Sequence, residues 1–247
     1  MQKKIIVLLL VLAAIFGTLF HLIGLDPAHS PEEKRSAFAI ARMLTGLIII
    51  WIFIGGAVMY RFRDRVRDYV RSLPFDWRVK FVVFAVLLAC LEEVVTVTMT
   101  NLAPVFGSTT QLAHITASTN YFDVIIFHSV IVFVPYFIAM AWLLSRYDFK
   151  PFSLFLAFGL VGTVSEAIFA GNFGAFVMFP VWAFVYGLMV YLPAYSIPEN
   201  RQVSPVRFYH NLMLAPAIFF TALPMILPIV YVIAVVLGHP GMDFDSV

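Results

Sequence analysis

Residues 79–103 read VKFVVFAVLLACLEEVVTVTMTNLA, with Lys80, Glu92 and Glu93 as the only charged side chains. A helix needs about 20 consecutive apolar residues to cross the roughly 30 Å hydrocarbon core of a bilayer. This stretch has the length, and it places two carboxyls at membrane depth. Working outward, six more stretches have the same character: Lys4–Leu25, Phe38–Tyr60, Phe122–Arg146, Pro151–Gly171, Phe173–Tyr195 and Arg207–Leu237. The pattern predicts an all-α, polytopic transmembrane helix bundle of about seven spans. The last stretch holds Pro216, Pro224 and Pro228. Each proline removes a backbone donor, so a break there would make eight. The spans leave no room for a separate soluble unit, and residues 1–247 read as a single integral membrane domain.

Composition agrees. The chain is 62% hydrophobic and only 12% charged, with a mean hydropathy of +0.95. Soluble domains carry about 25% charged residues. So few charges cannot cover a water-facing surface, which excludes a cytosolic enzyme, a disordered regulator and a nucleic-acid binder. The partners expected are membrane lipids and, for an active protein, a membrane-embedded peptide or lipid substrate. Cys90 is the single cysteine, so an intrachain disulfide and a cysteine metal cage are both excluded. Its apolar setting reads as a small buried hydrophobe.

Lys and Arg concentrate in cytoplasmic loops. Lys3, Lys4, the arginine-rich segment RFRDRVRDYVRSLPFDWR with Lys80, Arg146, Lys150, Arg201 and Arg207 put 13 of the 16 basic residues on one side. Lys34, Arg35 and Arg42 fall on the other. The expected orientation is N-terminus cytoplasmic and C-terminus outside. The first span follows basic residues as a secretory signal does, but its apolar run is longer and no A-x-A-like site follows, so a retained anchor is expected. The arginine-rich segment suits either a topological anchor or a helix lying on the inner leaflet. The uncharged stretch from Asn101 to Tyr121, with His114 at its centre, suits a plain connection or a loop over a cavity.

Ionisable side chains inside a membrane cost about 2.5–3.5 kcal/mol each on insertion scales. Four stand out: Glu92, Glu93, His128 in VIIFHSVIVFVPY and Glu166 in GLVGTVSEAIFAGN. Counted from the outer end of each span at 1.5 Å per residue, they lie roughly 8–15 Å deep, all in the outer half. Glu92, Thr96 and Thr100 recur every four residues and share a helix face. Neighbouring helical positions diverge, so only one of Glu92 and Glu93 is expected to be central. Gly159, Gly162, Thr163, Glu166 and Ala170 form a small-residue face that allows close helix approach. His210 reads as interfacial, beside Arg207 and Tyr209.

Carboxyls and an imidazole held together out of water suit proton transfer. They would activate water for hydrolysis, with Glu93 as base, Glu92 its neighbour, and His128 and Glu166 as donors. Alternatively they would hold a divalent metal, through Glu93, His128 and Glu166; the cofactor is therefore either none or such a metal. The adjacent glutamates, and a histidine 35 residues after Glu93 in the next span, resemble the type II CAAX-protease-like superfamily of intramembrane glutamate proteases. GLVGTVSEAIFAGN is similar to the Gly-rich segment of its PrsW-related branch. The resemblance covers about Cys90 to Asn172. Val97 stands where that family's EExxxR motif has Arg, and Val124 where its FxxxH motif has Phe; Glu166, with Asn172 after it, stands nearest to the third motif. It implies a protease-like hydrolase whose catalytic residues are Glu92, Glu93, His128 and Glu166. The competing expectations are a proton-coupled transporter with a broken last span, a non-catalytic membrane scaffold locked by polar pairs, and acid–base chemistry on an isoprenoid or other lipid.

Overall fold

The computed structural model describes residues 2–23, 25–26, 28–169 and 173–241. Among these the chain is helical and forms no strand; an isolated bridge pairs Tyr147 with Ser204. Helix α1 covers Gln2–Ile23. Helix α2 runs unbroken over Pro31–Ser72. Its start is built by Ser30 and Glu33: the Glu33 N–H donates to Ser30 Oγ, and Glu33 Oε2 accepts the Ser30 N–H at 2.7 Å. This reciprocal capping satisfies two otherwise orphaned donors, and Pro31 supplies a preset backbone angle at the first helical position. Helix α2 widens to π geometry over Ile48–Gly55 and ends where Pro74 disfavours helical backbone in the residue before it.

At 1.5 Å per residue, the 42 residues of α2 make a rod about 63 Å long, twice the hydrocarbon thickness. RFRDRVRDYVRS is therefore the continuation of the second span. The separate leaflet helix entertained from the sequence does not form.

Helix α3 (Trp77–Asn101) starts at Asp76, whose carboxylate accepts the Arg78 N–H at 2.8 Å. The polar stretch after it folds back on the end of α3, where fully buried Thr100 accepts the Ile115 N–H at 3.1 Å. Tyr121–His128 then bends by 49° into α4, Val130–Leu144. Helix α5 is Pro151–Phe169, and α6 is Phe179–Tyr195 after a short turn at Phe173–Phe176. Helix α7, Leu214–Tyr231, extends through a π turn to Val236. It begins after a short helix, Phe208–Leu212, and passes through Pro224 and Pro228 without a break. Of the kink or break expected at those prolines, the break that would make eight spans does not occur.

Among the described residues five helices, α1, α2, α3, α5 and α7, are long and apolar enough to cross a membrane, or six if the bent pair leading into α4 is one span. The chain is thus a multi-pass membrane protein by length and composition. Its outer helices carry the lipid-type surface, with Val7, Leu8 and Val11 on α1 and Leu227 and Val235 on α7 exposed. Helix α6 is the central post, buried from Pro180 to Ala194 along almost its whole length and packed on α1, α2, α3 and α5. Its closest neighbour is α5. A Cβ at Gly159 would lie 2.6 Å from Ala183 Cα, and one at Gly187 would lie 2.5 Å from the Phe155 ring. This is the small-residue contact that brings membrane helices together without a hydrophobic driving force.

Two arginines close the basic end. Arg71 donates to the carbonyls of Ser196 and Ile197, just past α6. Arg201 donates to the carbonyl of Leu144, the last residue of α4, and to Asp148, with its guanidinium 5.2 Å from the Trp77 ring centre. Burial pulls the Arg201 guanidinium below its usual range, while Asp148 opposes that shift. Both arginines sit where unpaired carbonyls and the negative end of the helix dipole favour cations. Arg201→Ala is expected to lower unfolding free energy by about 2 kcal/mol, since charged hydrogen bonds contribute about 1.5–3 kcal/mol. Denaturant unfolding in detergent micelles measures it.

Candidate functional site: a buried carboxyl cluster

Helix α3 carries Glu92 and Glu93 into the bundle, and both are buried, with only 3% and 6% exposure. Adjacent helical side chains diverge by about 100°, which suggests that only one would face inward. The outcome differs because α3 has neighbours on several sides: α2, α4 and α6 all pack on it. Glu93 Oε2 accepts a hydrogen bond from Thr96 Oγ1 at 3.0 Å, one turn along the same helix, and Glu93 Oε1 accepts one from Ser129 Oγ. Ser129 stands at the bend before α4, so it ties the two helices together.

Glu166 projects from α5 and accepts a hydrogen bond from the Tyr186 phenol of α6. The Tyr186 ring is pressed against Gly162, where a Cβ would lie 2.0 Å from it. Phe133 and Phe158 hold the same ring edge-on at centroid distances of 5.8 and 5.9 Å. Glu92 interacts electrostatically with both Glu93 and Glu166, and Tyr186 with all three carboxyls. Three glutamates and a phenol, from three helices, thus lie within electrostatic reach of one another, although the three carboxyls do not gather ligand atoms within 4.8 Å as Asp123, His128 and His239 do. One turn before Tyr186, the buried indole N–H of Trp182 has no hydrogen-bond partner among the described residues.

His128 takes a different place. Its Nε2 lies 3.1 Å from Asp123 Oδ2, and its ring is edge-on to His239 at 5.0 Å. The next residue, Ser129, occupies the position against Glu93. The cause is local backbone: Val124–His128 is π-helical, and the Ser129 N–H reaches back five residues to Val124 O at 2.9 Å. Among the described residues, the His, Cys, Asp and Glu side chains that gather three ligand atoms within 4.8 Å are Asp123, His128 and His239. The metal set expected from the sequence, Glu93 with His128 and Glu166, is not gathered in that way. Ala170 and Asn172, read with the Glu166 segment, lie outside the described residues.

Sequence reading did not single out Tyr186, one of six aromatic residues in α6, although a phenol at mid-span is itself a signal. It also passed over Asp123 as the start of a span. His210 sits at the basic end, its ring 4.7 Å from Tyr147 and its Nδ1 accepting the Arg207 N–H at 3.1 Å, as its sequence position suggests. His114 Nδ1 lies 3.0 Å from the carbonyl of Thr110 within its own loop.

Ser129→Ala would leave one oxygen of a buried carboxyl without its donor. Unmet buried acceptors cost about 1–3 kcal/mol, and a loss of about 1–2 kcal/mol in unfolding free energy is expected. Ser129→Thr, which keeps the hydroxyl, should recover most of it in the same unfolding assay.

Comparison of this chain with protein-family models, curated proteins and solved structures finds no match.

Proposed function

We propose that the chain is an intramembrane hydrolase in which a carboxyl cluster activates water against a membrane-embedded peptide. The observation that carries this reading is the burial of Glu92 and Glu93 within electrostatic reach of each other and of Glu166. Carboxyls so placed out of water do not all stay ionised side by side, and pairs of this kind divide into a base and an acid. Glu93, held by two hydroxyl donors, is the base that takes a proton from water as its oxygen adds to the peptide carbonyl. Glu166 or Glu92 returns a proton to the leaving amine. The hydroxyls of Ser129, Thr96 and Tyr186 are committed to the carboxylates, which leaves the Trp182 N–H, among the described residues, as the donor open to a developing oxyanion.

The adjacent glutamates and the Glu166 segment support the reading through their resemblance to CAAX-protease-like proteins. His128, which that resemblance would make catalytic, is assigned no role in the water-activating step, because its nearer partners are Asp123 and His239. We also take α6 as a seventh crossing. At 17 residues it is about 25 Å long, and its Tyr195 end meets Asp64 and Arg67 of α2 while its Tyr186 lies against Glu166. Seven crossings, with the basic residues inside, put the N-terminus in the cytoplasm and the C-terminus outside.

The pairing of Glu93 and Glu166 with hydroxyls also favours a second reading, a non-catalytic membrane scaffold in which the same bonds only lock helices. The experiment separating the two uses purified protein in nanodiscs with a panel of quenched-fluorophore transmembrane peptides. Cleavage by the wild type that is lost in Glu93→Gln supports the hydrolase. No cleavage of any peptide by well-folded wild type supports the scaffold.

A further inference from the structure

Asp123, His128 and His239 meet at the end of the bundle opposite Arg71 and Arg201, where the turn before α4 touches the chain leaving α7. His239 Nε2 is 2.8 Å from Asp123 Oδ1, and His128 Nε2 is 3.1 Å from Asp123 Oδ2. The three side chains are only 10–16% exposed. Phe127 stacks on the His239 ring at 4.3 Å and 18°, which fixes the plane of that imidazole. The π turn explains why Asp123 and His128 stand together. Residues five apart face different ways on a regular helix of about 100° per residue, and the wider turn brings them onto one side.

The placing of the two His239 ring nitrogens is the informative detail. Its Nδ1 lies 3.0 Å from the carbonyl oxygen of Pro240. Its Nε2 is turned the other way, to the Asp123 carboxylate that His128 Nε2 also approaches. One ligand atom from each of the three residues lies within 4.8 Å of the other two. Outward hydrogen bonding of one ring nitrogen to a carbonyl, with the other aimed at a shared centre, is also how metal-bound histidines are oriented.

We propose that Asp123, His128 and His239 form a binding site for a divalent transition cation of the zinc type, which fastens the end of α7 to the turn before α4. Two imidazoles and one carboxylate suit Zn²⁺. Tetrahedral bonds of about 2.0–2.1 Å separate neighbouring ligand atoms by about 3.3 Å. The present separations of 2.8 and 3.1 Å run to the two different oxygens of the Asp123 carboxylate, and one ligand atom per residue lies within 4.8 Å of the others, so small side-chain rotations bring the three onto one ion. Three protein ligands leave one position for water. The site stands independently of the hydrolase reading, since none of its members belongs to the glutamate cluster.

The test uses full-length protein purified in detergent through a histidine-free tag and stripped with a chelator. Titration with Co²⁺, followed by its visible ligand-field absorption, and then with Zn²⁺ in competition, gives stoichiometry and affinity. One ion per chain is expected, with ligand-field intensity of the tetrahedral kind. His239→Ala and Asp123→Asn should each weaken binding by about 100-fold or more, while His210→Ala at the opposite end binds as the wild type. Zn²⁺ should raise the thermal midpoint of the wild type and leave that of Asp123→Asn unmoved, and Asp123→Asn decides the matter if His239→Ala does not fold. Less than one ion per wild-type chain, or affinity undiminished in Asp123→Asn, would overturn the site.

Discussion

Glu93→Gln is expected to lower cleavage of a membrane-embedded peptide by at least about 100-fold, the usual contribution of a positioned general base. The amide keeps the shape of the side chain and still accepts a hydrogen bond from Ser129 or Thr96 through its oxygen, but it cannot take a proton from water. Because the change is nearly isosteric, expression and thermal midpoint should stay close to wild type, and the loss should appear in kcat more than in KM. Glu92→Gln should also reduce kcat. The two losses are expected to be strongly non-additive, because groups that exchange protons as a unit fail together. Steady-state kinetics on the two single variants and the double variant measure this. Independent, multiplying losses would mean that the two carboxyls act separately.

Gly162→Leu is expected to have the largest effect on stability. Even a Cβ at this position would lie 2.0 Å from the Tyr186 ring, and that ring is wedged among Phe133 and Phe158. A longer side chain must push α5 and α6 apart or eject Tyr186. Overpacking a close-packed core costs typically 1–3 kcal/mol and occasionally more, and an unaccommodated leucine at a helix crossing belongs at the upper end, about 3 kcal/mol. Tyr186 also loses its bond to Glu166 in either case, so activity should fall with stability. Gly162→Ala, with one methyl, should be milder in both respects. Comparing denaturant midpoints with cleavage rates for the two variants checks the order.

The helices were legible in the sequence because lipid imposes a simple rule: a stretch that spans must be long, apolar and helical. Val79–Ala103 is recovered as Trp77–Asn101, and the face of Gly159 and Gly162 packs against α6 as its small residues suggest. The capping signal of Ser30, Pro31 and Glu33 marks the start of α2 and was there to be read. Its end was not, since nothing in RFRDRVRDYVRS separates a rod continuing out of the membrane from a helix lying on it.

In the candidate site, the cost of buried charge picked out Glu92, Glu93 and Glu166, which lie within electrostatic reach of one another. The position of His128 was not legible. A π turn shifts every following side chain around the axis, and periodicity arguments assume a regular helix. Asp123 and His239 are 116 residues apart, and their meeting depends on where α7 ends against the turn before α4. No local pattern encodes that distance.

The most direct test of water activation by the carboxyl cluster is peptide turnover in buffer made with H₂¹⁸O, followed by mass spectrometry of the products. The account predicts that wild-type protein places one ¹⁸O in the new C-terminal carboxyl of each cleaved peptide, and that Glu93→Gln yields no labelled product. Label appearing at an equal rate with Glu93→Gln, or its absence from every peptide offered to folded wild type, would contradict it.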